Sequence, residues 1–402
     1  MTTDKNNERV IIAGGGPVGL FAAVRLSQFG IPVALIEAAE TVNKDIRAST
    51  IHPPTLDMMK PYGISAQAVA GGMPARQWQV RMHTTGEKAV FDMGCIADVT
   101  DYPFRLQFEQ SKLCAIMGEM LVADPLVEIY YGTQVESFEQ DEDSVTIFAD
   151  QNGEPVSITG RFLIGADGAA SSVREHLNLA FEGSVYPERT VLVTTPFQFH
   201  EHLDDISNVS YCWDTDGNFS LLRLPDRWRV SLYFPEGLTP EEALDNDHLE
   251  ARLQSICATG QSFDITDKRV YRVHQRIVEQ YDHGRVILAG DAAHINSPTG
   301  GMGMNGGLHD AHNLTEKIDK IWHGGGDLSL LALYSRQRKP IAEREIMQQA
   351  DRNRKRMTEK DPEKRRASLL QLQETTSDAE KQRAYLMKSS MYDGLAAAAT
   401  IT

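Results

Sequence analysis

Gly14, Gly16 and Gly19 stand in a G-x-G-x-x-G spacing, with Pro17 and Val18 before the last glycine, directly after the β-branched run 9–13. There the first glycine permits a tight turn, the second lets a pyrophosphate approach the backbone, and the third lets a helix pack on a sheet. Free N–H groups at the start of that helix attract phosphate. Glu37 follows Gly19 by 18 residues and closes the apolar run 32–36, where a carboxylate accepts from ribose hydroxyls. The glycines alone also suit a structural turn. With strand, helix and acid in register they predict a dinucleotide site, without saying which dinucleotide.

Two further turns carry polar residues after buried strands. The run 161–166 leads into Asp167-Gly168, and the run 286–289 leads into Gly290-Asp291. The second continues through Pro298 to Gly300-Gly301-Met302-Gly303-Met304-Asn305, which opens a helix predicted over 304–322. Either turn taken separately suits a structural role.

The elements that position these turns read as two alternating kinds. Strand, glycine turn, helix and strand within 9–36 form a βαβ unit. A hairpin is predicted over 77–83 and 88–92, a helix over 111–121, and short strands between 127 and 159. From 190 to 235 strands rich in aromatics follow one another, predicting an antiparallel sheet. A helix is predicted over 241–258, and the chain after Gly326 is polar and helical.

Composition excludes several classes. Forty Lys and Arg against 56 Asp and Glu give a formal charge of −16, which disfavours nucleic acid because phosphate neutralisation needs a basic surface. Residues 336–366 are the exception, with 12 basic and 6 acidic side chains; a solvated helical face on an acidic body explains them better than a docking site for an acidic partner. The first residues carry both charge signs and lack a secretory signal, and the longest nearly uncharged run is about 15 residues, too short to span a bilayer. A cytoplasmic protein without stable membrane insertion is expected. Cys95, Cys114, Cys212 and Cys257 are scattered, so no metal site is predicted, and nothing resembles the paired cysteines of a flavin disulfide reductase.

The three motifs, in this order over about 9–325, resemble the class A, p-hydroxybenzoate hydroxylase-like FAD-dependent aromatic monooxygenases. Residues 298–305 look most like the phenol and polyketide hydroxylase branch. The implied fold is α/β: a Rossmann-like FAD-binding domain with an inserted, mostly antiparallel β-sheet substrate domain and a C-terminal helical segment. The FAD domain is expected over 1–76, 105–188 and 276–326, the substrate domain over 77–104 and 189–275, and the helical segment over 327–402. The C-terminal thioredoxin-like domain of that branch is expected to be missing.

The resemblance implies roles residue by residue. Gly14, Gly16, Gly19 and Glu37 would hold the ADP half of FAD, with Pro17, Val18, Ala38 and Val135 in the same cofactor-binding set. Arg47 and Gln110 would lie near the flavin, Asp167 and Gly168 would serve FAD and the nicotinamide donor, and Asp291 would bind the ribityl or pyrophosphate part. Pro298 would lie beside the flavin ring. The backbone of Gly301, Met302, Gly303 and Met304 would face its pyrimidine end, where a helix N-terminus stabilises the anion of reduced flavin. NADH or NADPH would be the electron donor, and O2 would give a flavin hydroperoxide that attacks a small phenolic or heteroaromatic ring.

The proton relay is not legible. Tyr211, Trp213, Phe219, Arg223 and Tyr233 alternate on the aromatic strands, and one face should roof the flavin. Tyr211, Arg223 and Tyr233 are the catalytic candidates alongside Pro298, Arg223 as a partner for a carboxylate or phenolate. His52, His200, His202 and His294 are weaker candidates, His294 rather as a loop brace. Alternatives stay open: epoxidation, oxidative decarboxylation or denitration, hydride-transfer reduction, or a non-enzymatic FAD-binding protein using the basic tail. A homodimer formed through that tail also stays open.

Overall fold

The computed structural model describes residues 2–4, 7–42, 48–233 and 237–402. Strand Val10–Ala13 is central to a six-stranded sheet. Strands Val33–Ile36 and Val127–Tyr130 extend it on one side, and Phe162–Gly165 and Val286–Leu288 on the other, all parallel. A two-residue antiparallel strand, Asp282–His283, ends it. The central strands are fully buried, as expected where both faces of a parallel sheet are covered. Helices Pro17–Gln28, Gln110–Val122 and Met302–Trp322 pack in this layer, and their apolar residues join the strands in one large core.

The aromatic strands form a second sheet of eight. Its order is His294–Ile295, Asp267–Ile277, Glu182–Thr195, Trp228–Tyr233, Phe219–Arg223, Val209–Trp213, Gln77–Met82 and Lys88–Asp92. Every neighbouring pair is antiparallel except Val209–Trp213 with Gln77–Met82, so the early hairpin is stitched to strands more than a hundred residues later. Side chains alternate across a strand. Val191, Val193, Phe219, Leu221, Trp228, Val230 and Leu232 therefore meet Leu249, Leu253 and Ile256 of helix Asn246–Ile256 on one face. The partners Tyr211, Ser220 and Ser231, aligned in successive register, share the other face.

The helix predicted over 241–258 is two helices. Pro240–Ala243 is closed by a capping box between Thr239 and Glu242, and Asp245 caps the next helix by accepting from the N–H groups of Asp247 and His248. The capping chemistry outweighs the apolar period that runs through both.

The tail is a run of helices laid against both sheets; most of its basic side chains stay exposed, and a few are held inside the fold. Arg338 donates to buried Asp310, Arg365 to the carbonyls of Asp214 and Glu359, and Arg383 pairs with Asp98. Trp213 Nε1 donates to the Arg356 carbonyl and Asn218 to that of Met357. None of the described helices is long and apolar enough to cross a membrane.

Candidate active site

Between the two sheets lies a cavity of about 800 Å3, large even among small-molecule sites of roughly 300–1,000 Å3. Its floor is made by turns at the C-terminal ends of the parallel strands, where open α/β sheets bind ligands. Gly14 leaves its strand at φ +106°, and a Cβ there would stand 2.4 Å from the Ala166 carbonyl oxygen. Only glycine fits that approach. A Cβ at Gly19 would meet the Gly14 carbonyl oxygen, so Gly19 stands behind the floor and lets the helix sit close. Gly16 faces open space. Pro17 and Val18 complete this corner.

Carboxylates ring the floor. Glu37 accepts from the N–H groups of Gly15 and Ala39 and faces the cavity beside Ala38. Asp167 uses Oδ2 to hold Ser172 and the Val173 N–H, while its buried Oδ1 has no partner. Gly168, Val135, Gln110 and Asp291 also line the cavity. Arg47 lies outside the described residues.

The third motif forms the seam between floor and roof. Gly301 takes φ +69° and opens helix Met302–Trp322. Gly301, Gly303, Met304 and Pro298 border the cavity, whereas the Met302 side chain turns away to pack with Ala342 and Met391. The loop is pinned from behind: Asn305 donates to the carbonyls of Thr50 and Gly301 and accepts from the His52 N–H and Thr55 hydroxyl. His52 Nε2 bonds the Gly300 carbonyl at 2.9 Å. Burial, helped by the charge of Arg105, pulls the His52 pKa down to about 3, so a neutral imidazole donates that bond.

The roof is the polar face of the eight-stranded sheet. Tyr211 and Tyr233 are both on it, with Ser220, Leu222, Ser231 and Thr190. Burial pushes the Tyr233 phenol well above its ordinary value, opposed by a hydrogen bond with Thr299. Arg223, expected here, is not among the cavity residues; it shares the parity of Phe219 and Leu221 and reaches Asn208 at 3.4 Å. Arg229 takes the place expected of it. Only 1% of its side chain is exposed, and Nη2 donates to Glu109 at 3.0 Å, while Nε and Nη1 have no partner. Burial lowers its pKa and Glu109 raises it back. The guanidinium stays charged.

The imidazole on this cavity is His274, which the sequence reading did not single out. His294 is buried against Asp310, His200 lies over Trp228 and His202 stacks on Phe197, all away from the cavity. Arg229 was within reach of the sequence, since it shares parity with Ser231 and Tyr233 in one strand. His274 was not. The register between Glu182–Thr195 and Asp267–Ile277 breaks between the pairs Val185–His274 and Arg189–Arg272, and alternation does not carry across such a break.

The residues present fit FAD. The floor offers an open glycine backbone for a pyrophosphate, an acid at the ribose position, an unpartnered Asp167 oxygen and a helix N-terminus. A nucleotide floor beneath the polar face of an antiparallel sheet defines the p-hydroxybenzoate hydroxylase-like class of flavoprotein.

The chain belongs to the FAD binding domain family, whose sequence profile matches residues 7–350. It is 34% identical over 342 residues to 6-hydroxy-3-succinoylpyridine 3-monooxygenase HspB of Pseudomonas putida (strain DSM 28022 / S16), covering 83% of this chain and 84% of that one. It is 30% identical over 391 residues to para-nitrophenol 4-monooxygenase of Pseudomonas sp. (strain WBC-3), covering 96% of each. The crystal structure of p-nitrophenol 4-monooxygenase PnpA from Pseudomonas putida DLL-E4 superposes with a TM-score of 0.91 at 29% identity, over 98% of this chain and 99% of that one. FAD-dependent aromatic monooxygenases are thus the group in which this protein falls.

Proposed function

We propose that the protein hydroxylates a small phenolic or hydroxylated heteroaromatic ring, using FAD, O2 and NADH or NADPH. The observation that carries this reading is the single cavity joining a dinucleotide floor to a roof of phenols, hydroxyls and one paired arginine. Relatives named for a nitrophenol and a hydroxypyridine support the substrate class.

Bound FAD, once reduced, would supply oxygen activation. Gly14, Gly16, Glu37 and Asp167 would hold its nucleotide half, and Gly301 to Met304, with Pro298, would hold its flavin half through the N–H groups at the start of the helix. Arg229, with two unpaired guanidinium nitrogens, anchors an oxygen anion on the substrate through charge-assisted bonds. His274 takes the phenolic proton, raising the electron density of the ring for attack. Tyr233 and Thr299 form a hydroxyl pair bordering the same space and orient the substrate. The roof, backed by the tail helices, keeps bulk water from the reacting atoms.

The test is a panel of phenols and hydroxypyridines with the FAD-loaded protein, following NAD(P)H oxidation, oxygen uptake and product mass. At least one compound is expected to stimulate both rates and to gain the mass of one oxygen atom. NAD(P)H oxidation without oxygen uptake would assign the site to hydride-transfer reduction instead. His274→Asn should lower kcat on the order of a hundredfold and leave the flavin spectrum unchanged.

A further inference from the structure

A second, smaller cavity adjoins the active site, and its chemistry is one-sided. It has room for about 20 Å3, enough for about one water-sized group. Tyr211, Thr299 and Gly300 border both spaces. Arg105 and Arg356 line it, and among the described residues no carboxylate does.

Arg105 is 4% exposed. Its guanidinium lies over the Trp78 ring at 4.3 Å from the centroid. Stacking of that kind satisfies the face of a guanidinium and leaves its in-plane N–H groups to find acceptors. None is supplied: the Arg105 side chain has no hydrogen bond or ion pair with a described residue, and Nε is buried without a partner. Two more buried polar atoms, on residues that also line this cavity, are unpartnered: Trp78 Nε1 and Ser389 Oγ. The indole nitrogen can only donate and the hydroxyl can donate. Arg356 is held in place by Tyr385 at 3.2 Å.

Three unpartnered buried donors, two positive charges and no acid among the described residues make a pocket that an anion completes. A water would accept from at most two of these donors and leave the charge of Arg105 uncompensated. A cation is excluded by the two arginines.

We propose that this second cavity binds one compact anionic group, with Arg105 as its charged anchor. The source favoured by the shared wall at Tyr211 and Thr299 is a carboxylate carried on the aromatic substrate that places one oxygen in this space from the active site; a free halide has the same chemistry. In the substrate form this rests on the hydroxylase reading and narrows its substrate to anionic aromatics.

Binding, not turnover, tests it. The FAD-loaded protein is titrated with 4-hydroxyphenylacetate and with 4-hydroxyphenylacetamide, following the flavin absorbance change, and crystals are soaked in sodium bromide for anomalous diffraction. The wild type is expected to bind the carboxylate about tenfold or more tightly than the amide. Arg105→Gln should bring the two within about twofold without weakening the amide, and Arg105→Lys should fall between.

A bromide peak beside Arg105 with no carboxylate preference keeps the site and assigns it to a free halide. A preference that survives Arg105→Gln and vanishes in Arg229→Gln overturns the proposal, as does the absence of both preference and bromide. If Arg105→Gln does not fold, the wild-type bromide map together with Trp78→Phe decides: the peak must lie in this cavity, and loss of the indole donor must reduce its occupancy. An enzyme that hydroxylates neutral phenols and shows no anion binding would fail this proposal alone. A protein without substrate-dependent oxygen uptake would fail the hydroxylase reading alone.

Discussion

The floor and the roof of the cavity are built by opposite strategies. On the floor, each functional group sits in a turn within a few residues of the strand that positions it: Gly14 after Val10–Ala13, Asp167 after Phe162–Gly165, Asp291 after Val286–Leu288. On the roof, each group is one of every second residue on a strand, and its neighbours arrive from distant parts of the chain. Tyr211 pairs with Ser220 on one side and with Val80 on the other. The floor depends on backbone conformation and the roof on register. Substitutions should separate the two, the floor losing cofactor and the roof losing stability or turnover.

The largest effect is expected on the floor. Gly14→Val forces a β-branched side chain into a left-handed conformation and against the Ala166 carbonyl. Combined strain and overpacking of about 3 kcal/mol would weaken FAD binding roughly a hundredfold. Flavin retention after gel filtration reads this directly, and a yellow Gly14→Val protein would contradict the assignment.

Next comes the ion pair where the roof meets the helix that begins at Gln110. Glu109→Gln leaves Arg229 buried without a carboxylate, which costs about 3 kcal/mol when one partner of a buried pair is removed. A lower melting temperature with unchanged flavin affinity is the expected result. Arg229→Met should cost less stability, because Glu109 keeps Lys112 at 3.0 Å, yet it should weaken anionic substrates.

The seam between the regions should be acid-sensitive. Burial holds His52 neutral, with its pKa pulled down to about 3, while the unfolded chain protonates near its ordinary value of 6.5. Its contribution is therefore complete above about pH 6.5 and falls as pH drops toward 3, by up to about 1.4 kcal/mol per pH unit. His312 is depressed to about 3 chiefly by burial and acts in the same direction. Denaturant melts between pH 7 and 4 should show this slope, and His52→Gln should flatten it.

Smaller effects are expected from single roof hydroxyls. Tyr233→Phe removes the bond to Thr299 and should lower kcat about tenfold, the equivalent of one hydrogen bond, with little change in FAD affinity. Smallest of all, Arg223→Gln should alter kcat/KM by less than about twofold. A larger loss there would mean that the opposite face of the sheet takes part.

The same contrast explains what could be read from the chain alone. Gly14, Gly16, Glu37, Asp167 and Asp291 were legible because motif and position lie within one turn, so local spacing carries the geometry. Tyr211 and Tyr233 were legible as residues of one sheet, but Arg223 was placed on their face when its strand carries it to the other. Arg229, on the next strand, has the right parity. His274 is hidden by a break in register that local sequence does not announce. The buried donors around Arg105 depend on strand Arg105–Gln107, strand Gln77–Met82 and the tail helices meeting at one point. The basic tail reads as a solvated face and most of its basic side chains are exposed, Arg338 and Arg365 being the buried exceptions.

Isotope labelling tests the central claim, that floor and roof form one oxygenase site, most directly. The FAD-loaded protein would be turned over with NADH or NADPH under 18O2 on the phenol or hydroxypyridine that most stimulates oxygen uptake. The expected result is a hydroxylated product carrying one 18O atom per molecule. A product labelled only from H218O, or NAD(P)H oxidation with no oxygenated product from any ring tested, would contradict it.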